Sequence, residues 1–275
     1  MLRPFRQVDV FTDTPYHGNP LAVVHDAEGL SGEEMQRFAN WTNLSETTFL
    51  LPPTTPEADY RVRIFTASSE LPFAGHPTLG TCHAWLEAGG VPREAGTVVQ
   101  ECGAGLVRVR DEGASLAFAA PPLLRSGPVE DDLVQDMAEA LGIPRGEIVD
   151  AEWADNGPGW VAILLRDAEA VLALQPQRVP VDAGVVGPYP PGSPHAYEVR
   201  AFSPIPGGVT EDPVTGSLNA SVAQWLLRTG RVSAPYVASQ GTALGRTGRI
   251  RITTEGQDIW VGGSVITCVS GQVEL

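Results

Sequence analysis

The chain has 275 residues, 43% of them hydrophobic and 19% charged, which suits one large or two small domains with enough apolar content for a core. Its formal charge of −15 argues against binding nucleic acid or an anionic membrane, since both need basic surface. All 18 basic residues are arginine, which excludes Schiff-base catalysis, a pyridoxal-phosphate aldimine and a lysine-dependent phosphate loop.

The opening "MLRPFRQVDVFTD" lacks the apolar core of a signal peptide, and no segment has the continuous apolar length of a membrane span. "QVDVFT" and "LAVVH" read as strands joined by the turn residues "DTPYHGNP". Asn19 sits in that turn between glycine and proline, where asparagine is ordinary. Ser31-x-x-Glu34 is a capping box that opens a helix to about Asn40. "SETTFLL" and "YRVRIFT" are strands rich in β-branched and aromatic residues. If residues 44–51 form a strand, Leu44, Glu46, Thr48 and Leu50 share one face. The leucines belong inside and draw Glu46 with them, and apolar surroundings raise a carboxyl pKa toward the range of a general acid/base. From the pattern alone, an edge-strand glutamate facing water is the plainer alternative.

A helix from about Pro77 closes at Gly89-Gly90, and Cys82 lies among its apolar positions as core. "AAPPLLRSGPVEDD" (119–132) is a Pro/Gly-rich join leading into an acidic helix start, and it divides the chain into domains of residues 1–120 and 121–275. A second main helix runs from Pro213 to Gly230, after Arg228. The remainder is strand-like, so the fold class is α+β, with sheet wrapped on one main helix in each half. Three scattered cysteines without C-x-x-C, and five histidines without H-x-H or H-E-x-x-H, imply a reducing cytoplasm and no metal site.

The halves resemble each other. Asp-Ala-Glu at 26–28 recurs at 167–169, and Arg-x-Phe at 63–65 recurs at 200–202. His76-Pro77-x-x-Gly80 matches Asp212-Pro213-x-x-Gly216, and "QECGAG" (100–105) matches "ASQGTA" (238–243). Four matches in the same order indicate an internal duplication. "WTNLSETTFLLPP" (41–53) has no visible counterpart. Asp212 before Pro213 is a good helix cap by itself. His76 in the other copy is a poor cap, so something besides helix stability selects these residues. Helix N-termini attract carboxylates. If the domains face each other, two such ends converge on one cleft, with His76 on one wall, Asp212 on the other and Ser217 adding a hydroxyl. That describes a site for a small anionic substrate with an acid and a base at hand.

"VDVFTDTPYHGNPLAVV", "NLSETTF", "ELPFAGHPTLGT" and "TEDPVTGSLNAS" resemble the phenazine-biosynthesis isomerase (PhzF-like) family, relatives of diaminopimelate epimerase. The resemblance implies two similar domains, each a largely antiparallel β-barrel-like sheet around a central helix, and a last strand that can return to the first domain. It implies a homodimer without cofactor or metal, acting on a small carboxylate such as trans-2,3-dihydro-3-hydroxyanthranilate by moving a ring proton. Carried over residue by residue, Glu46 is the general acid/base, with His76, Asp212, Ser217, Gly75, Gly216 and Asn19 binding the substrate. The epimerase relatives use two cysteines at the loop-to-helix elements. These read "PFAGHP" and "EDPVTG" here, which speaks against two-cysteine racemisation. The alternatives are an epimerase of another small amino or hydroxy acid, and a binding protein that has lost turnover.

Overall fold

Period-two alternation of apolar residues dominates the chain, and the computed structural model, which describes residues 1–275, turns it into eighteen strands. Two compact units result: Met1–Ala119 with Gly262–Leu275, and Ala120–Val261. Unit 1 runs β1 (Leu2–Val10), β2 (Asn19–Val24), α1 (Gly32–Thr42), β3 (Glu46–Leu51), β4 (Tyr60–Phe65), β5 (Glu70–Leu71), α2 (Gly75–Glu87), β6 (Thr97–Cys102), β7 (Gly105–Asp111) and β8 (Leu116–Ala119). Unit 2 follows with β9 (Arg125–Pro128), α3 (Asp131–Leu141), β10 (Ile148–Asp155), β11 (Val161–Leu165), α4 (Ala168–Leu172) and β12 (Ala183–Pro188). It continues through β13 (Tyr197–Ile205), β14 (Gly208–Asp212), α5 (Gly216–Arg228), β15 (Tyr236–Gln240), β16 (Gly248–Glu255) and β17 (Asp258–Gly263). The last strand, β18 (Val265–Glu274), returns to pair antiparallel with β1.

Both units share one topology. In unit 1, β2 and β3 are parallel, as are β4 and β6, and the other pairings are antiparallel. In unit 2 the parallel pairs are β11 with β12 and β13 with β15. Each parallel pair needs a crossover. α1 and α4 make the first of each unit, and α2 and α5 make the second. The fold is thus α+β and dominated by sheet.

The central strands of each unit, β2 and β3 or β11 and β12, are buried on both faces. In unit 1, Val24, Phe49 and Phe65 pack with Met35 and Ala39 of α1, while Thr48 faces α2 and accepts a hydrogen bond from Thr81 at 2.8 Å. α2 lies close against β1 and β2 because it presents Gly80. A Cβ there would sit 2.6 Å from Leu21 Cδ2 and 3.0 Å from Val8 and Val10 methyls. Cys82 is fully buried as expected, and burial pushes its thiol pKa up. Ser31 and Glu34 form the capping box read from the sequence.

The duplicated Arg-x-Phe has a structural cause. Arg63 donates twice to Glu70 at 2.7 Å across β4 and β5, and its guanidinium lies 5.0 Å from the Phe65 ring centre. Arg200 donates to Glu211 at 2.9 and 2.7 Å across β13 and β14, 4.8 Å from the Phe202 ring centre. Each clip fastens the hairpin that leads to a central helix, and such bidentate pairs fix geometry as well as adding energy.

Four expectations need correction. The central helices begin at Gly75 and Gly216, not at Pro77 and Pro213. Asp212 ends β14 and is not the N-cap of α5, which is Thr215. Hairpin pairing with Ala201 keeps Asp212 in the strand, so its proline falls in the loop and not at the first helical position. With both helices 13 residues long, the structural partner of His76 is Ser217 rather than Asp212. Finally, β3 does have a counterpart, β12. Phe65 opposes Thr47 and Phe202 opposes Ala183, so Asp182 stands at the register position of Glu46.

Candidate active site

In unit 1, three elements bring Asn19, Glu46 and His76 together. Asn19 opens β2 and is fully buried, which makes it more than a turn residue. Glu46 opens β3, opposite Leu21 of β2 and two residues along from Asn19. His76 is the second residue of α2, 4% exposed, after the buried Gly75. Its Nε2 lies 3.3 Å from Glu46 Oε2, and its Nδ1 lies 3.4 Å from Asn19 Nδ2.

These contacts fix the state of the ring. Burial lowers the His76 pKa to about 3, so the imidazole is neutral near pH 7 even beside a carboxyl group. An amide nitrogen only donates, so Nδ1 accepts from Asn19 and the single ring proton sits on Nε2, facing Glu46. The result is a carboxyl group at the head of a helix, approached at 3.3 Å by a neutral ring nitrogen whose tautomer a buried asparagine sets. Glu46 keeps 15% of its side-chain surface exposed.

In unit 2, the two acids of "TED" have separate tasks. Glu211 belongs to the arginine clip. Asp212 Oδ2 accepts from the Thr215 hydroxyl at 2.6 Å. Behind Thr215 stands Gln240 of β15, fully buried. Its Oε1 accepts from Thr215 N–H at 3.0 Å and Asn219 Nδ2 at 2.8 Å, and its Nε2 donates to Thr215 Oγ1 at 2.9 Å and to the Asp212 carbonyl at 3.1 Å. Every hydrogen-bonding position of that amide is used. Unit 1 has a looser version, in which Gln100 Nε2 donates to Thr78 Oγ1 at 3.0 Å and Tyr60 donates to Gln100 Oε1 at 3.1 Å. Gln240→Leu would strand several buried donors and acceptors. We expect a loss of about 3 kcal/mol in urea unfolding, with Asp212 misplaced; an unchanged midpoint would show that the amide is idle.

Ser217, the second residue of α5 after the buried Gly216, accepts from the Trp160 indole at 3.1 Å. Asn156, Trp160, Thr215 and Gln240 escaped sequence reading. The one available signal was glutamine ending the strand "YVASQ", beside a duplicated glycine.

Duplicated α+β units whose central helices begin beside ionisable and hydroxyl side chains define a class, the PhzF-like fold. A model of the phenazine biosynthesis-like protein family, PhzC-PhzF, matches residues 8–271, and the chain belongs to that family. "Antisense-enhancing sequence 1" of Schizosaccharomyces pombe is 36% identical over 98% of this chain and 97% of that protein. Trans-2,3-dihydro-3-hydroxyanthranilate isomerase of Pseudomonas aeruginosa is 34% identical over 90% of this chain and 89% of its own. Among solved structures, a PhzF-family phenazine biosynthesis protein of Enterococcus faecalis superposes with a TM-score of 0.80 at 25% identity, covering 100% of both chains. No helix of the chain is long and apolar enough to cross a membrane.

Proposed function

We propose that this protein is a cofactor-independent isomerase that moves a proton between carbons of a small carboxylate, with Glu46 as the general acid/base. The observation that carries the reading is the Asn19–His76–Glu46 constellation, with 3.4 and 3.3 Å between its members and one ring tautomer compatible with it. The neutral His76 N–H orients the carboxyl without giving up a proton of its own, so the transferred proton stays on Glu46. His76, Asn19 and Gly75 in unit 1, and Asp212, Ser217 and Gly216 in unit 2, are assigned to substrate binding. Both helix N-termini lack a side-chain cap, and their first-turn N–H groups suit a carboxylate.

The first substrate to test is trans-2,3-dihydro-3-hydroxyanthranilate, on which a relative acts. Proton NMR of the reaction mixture separates the outcomes: a product with a shifted double bond supports the isomerase, and an unchanged spectrum counts against this substrate. One observation favours an epimerase of another small amino or hydroxy acid. Asp182, at the register position of Glu46, has its carboxyl pKa raised by burial and could serve as a second acid. Inversion without a bond shift would select that reading. The three free cysteines agree with a cytoplasmic location. We also assign the protein as a homodimer, supported by an apolar groove of about 350 Å³ at Phe38, Trp41 and Leu275, where Trp41 is 78% exposed. A monomer mass by light scattering would remove that assignment.

A further inference from the structure

The turn between β10 and β11 ends against the first turn of α5, and its role follows from counting donors and acceptors. Asp155 Oδ1 accepts from the N–H groups of Gly157 at 2.7 Å and Gly159 at 2.8 Å, and these glycines adopt φ of 142° and 88°. The turn is thereby held in a shape that other residues rarely adopt. It presents two side chains to Ser217. Asn156 Nδ2 donates to the Ser217 carbonyl at 2.8 Å, and Trp160, 4% exposed, donates its indole N–H to Ser217 Oγ at 3.1 Å.

An indole can only donate, whereas a hydroxyl has one proton and two lone pairs. With one lone pair engaged by Trp160, Ser217 still has its proton to give, and no group of the protein accepts it. We propose that Trp160 is a specificity-determining residue that sets Ser217 as a hydrogen-bond donor. Ser217 keeps one lone pair as well, but only an acceptor takes up the proton that the protein leaves unused, so the ligand atom favoured at the head of α5 is a carboxylate oxygen rather than an ammonium or amide N–H. The first-turn backbone N–H groups of α5 are donors of the same sense, so hydroxyl and helix select the same charge. Without the indole, both lone pairs are free and the proton can swing away from the ligand, which weakens the preference for an acceptor.

The proposal rests on Ser217 being a substrate-binding residue, and the experiment keeps the two failures apart. Kinetics with trans-2,3-dihydro-3-hydroxyanthranilate are measured for wild type, Trp160→Phe, Ser217→Ala and the double variant. Trp160→Phe is expected to raise KM about fivefold to tenfold with little change in kcat. In the Ser217→Ala background the same change is expected to move KM by less than about twofold, because the indole then has no partner to set. Equal effects in both backgrounds, with an active wild type, would overturn the role of Trp160 and leave the function standing. A wild type without turnover or binding would overturn the functional reading, and the donor role with it. A ligand-free check covers a poorly folding Trp160→Phe: Ser217→Ala should shift the Trp160 indole ¹H–¹⁵N resonance, and an unmoved resonance would overturn the proposal by itself.

Discussion

Glu46→Gln is expected to lower kcat by about 10²–10⁴-fold while leaving KM within a small factor of wild type. Glutamine has the shape of glutamate and an oxygen in the same place, so the approach of 3.3 Å to His76 and the packing of β3 survive. What it lacks is an exchangeable carboxyl proton. A fall in kcat and in kcat/KM by the same factor would mark an interaction made only in the transition state. Near-normal turnover would remove Glu46 from the chemistry, and a large rise in KM alone would make it a binding group.

The second large effect is on acid stability and comes from His76. Its folded pKa of about 3 lies well below the ordinary imidazole value of 6.5, so the unfolded chain binds the extra proton first. The stability that the neutral buried ring contributes is complete above pH 6.5 and is lost as pH falls through the window toward 3. For one group the slope reaches about 1.4 kcal/mol per pH unit, so the loss by pH 4 is on the order of 3 kcal/mol. His76→Gln cannot titrate there. Urea unfolding between pH 7 and 4 should therefore show wild type losing stability faster than the variant, by about one proton's worth of slope. Parallel curves would contradict the neutral-ring assignment. His25 and His83, whose pKa values burial also lowers, are present in both proteins and cancel.

What could be read from the sequence follows from how local each signal is. Strand alternation, the Ser31–Glu34 capping box and the end of α5 at Arg228 depend on neighbours in the chain, and the structure places them where they were expected. The helix starts did not come out so well. Asp-Pro is a favourable local start, but the β13–β14 hairpin and the Arg200–Glu211 clip hold that segment in strand geometry through Asp212, and the helix follows only after Thr215. Local capping preference, worth about 1 kcal/mol, is a weak competitor for a paired strand with a buried ion pair. Asn19 looked like a turn residue because glycine and proline flank it. Only the parallel pairing of β2 with β3 shows that its position leads to Glu46 and His76.

Trp160, Asn156 and Gln240 reach their partners across 57, 61 and 25 residues of sequence. No local pattern announces such contacts. The duplication was legible as matched tripeptides, yet it paired His76 with Asp212, because the hairpin before the helix is longer in the second copy: Arg63 and Glu70 are 7 residues apart and Arg200 and Glu211 are 11, whereas Glu70 and Glu211 stand equally far from Gly75 and Gly216.

The most direct test of Glu46 as the proton carrier is an NMR assay in D₂O with trans-2,3-dihydro-3-hydroxyanthranilate, comparing wild type with Glu46→Gln. Wild type should form a double-bond isomer carrying deuterium, or a retained internal proton, at one carbon, and the variant should form none. Isomer formed by both proteins with the same label would contradict a proton carried by Glu46.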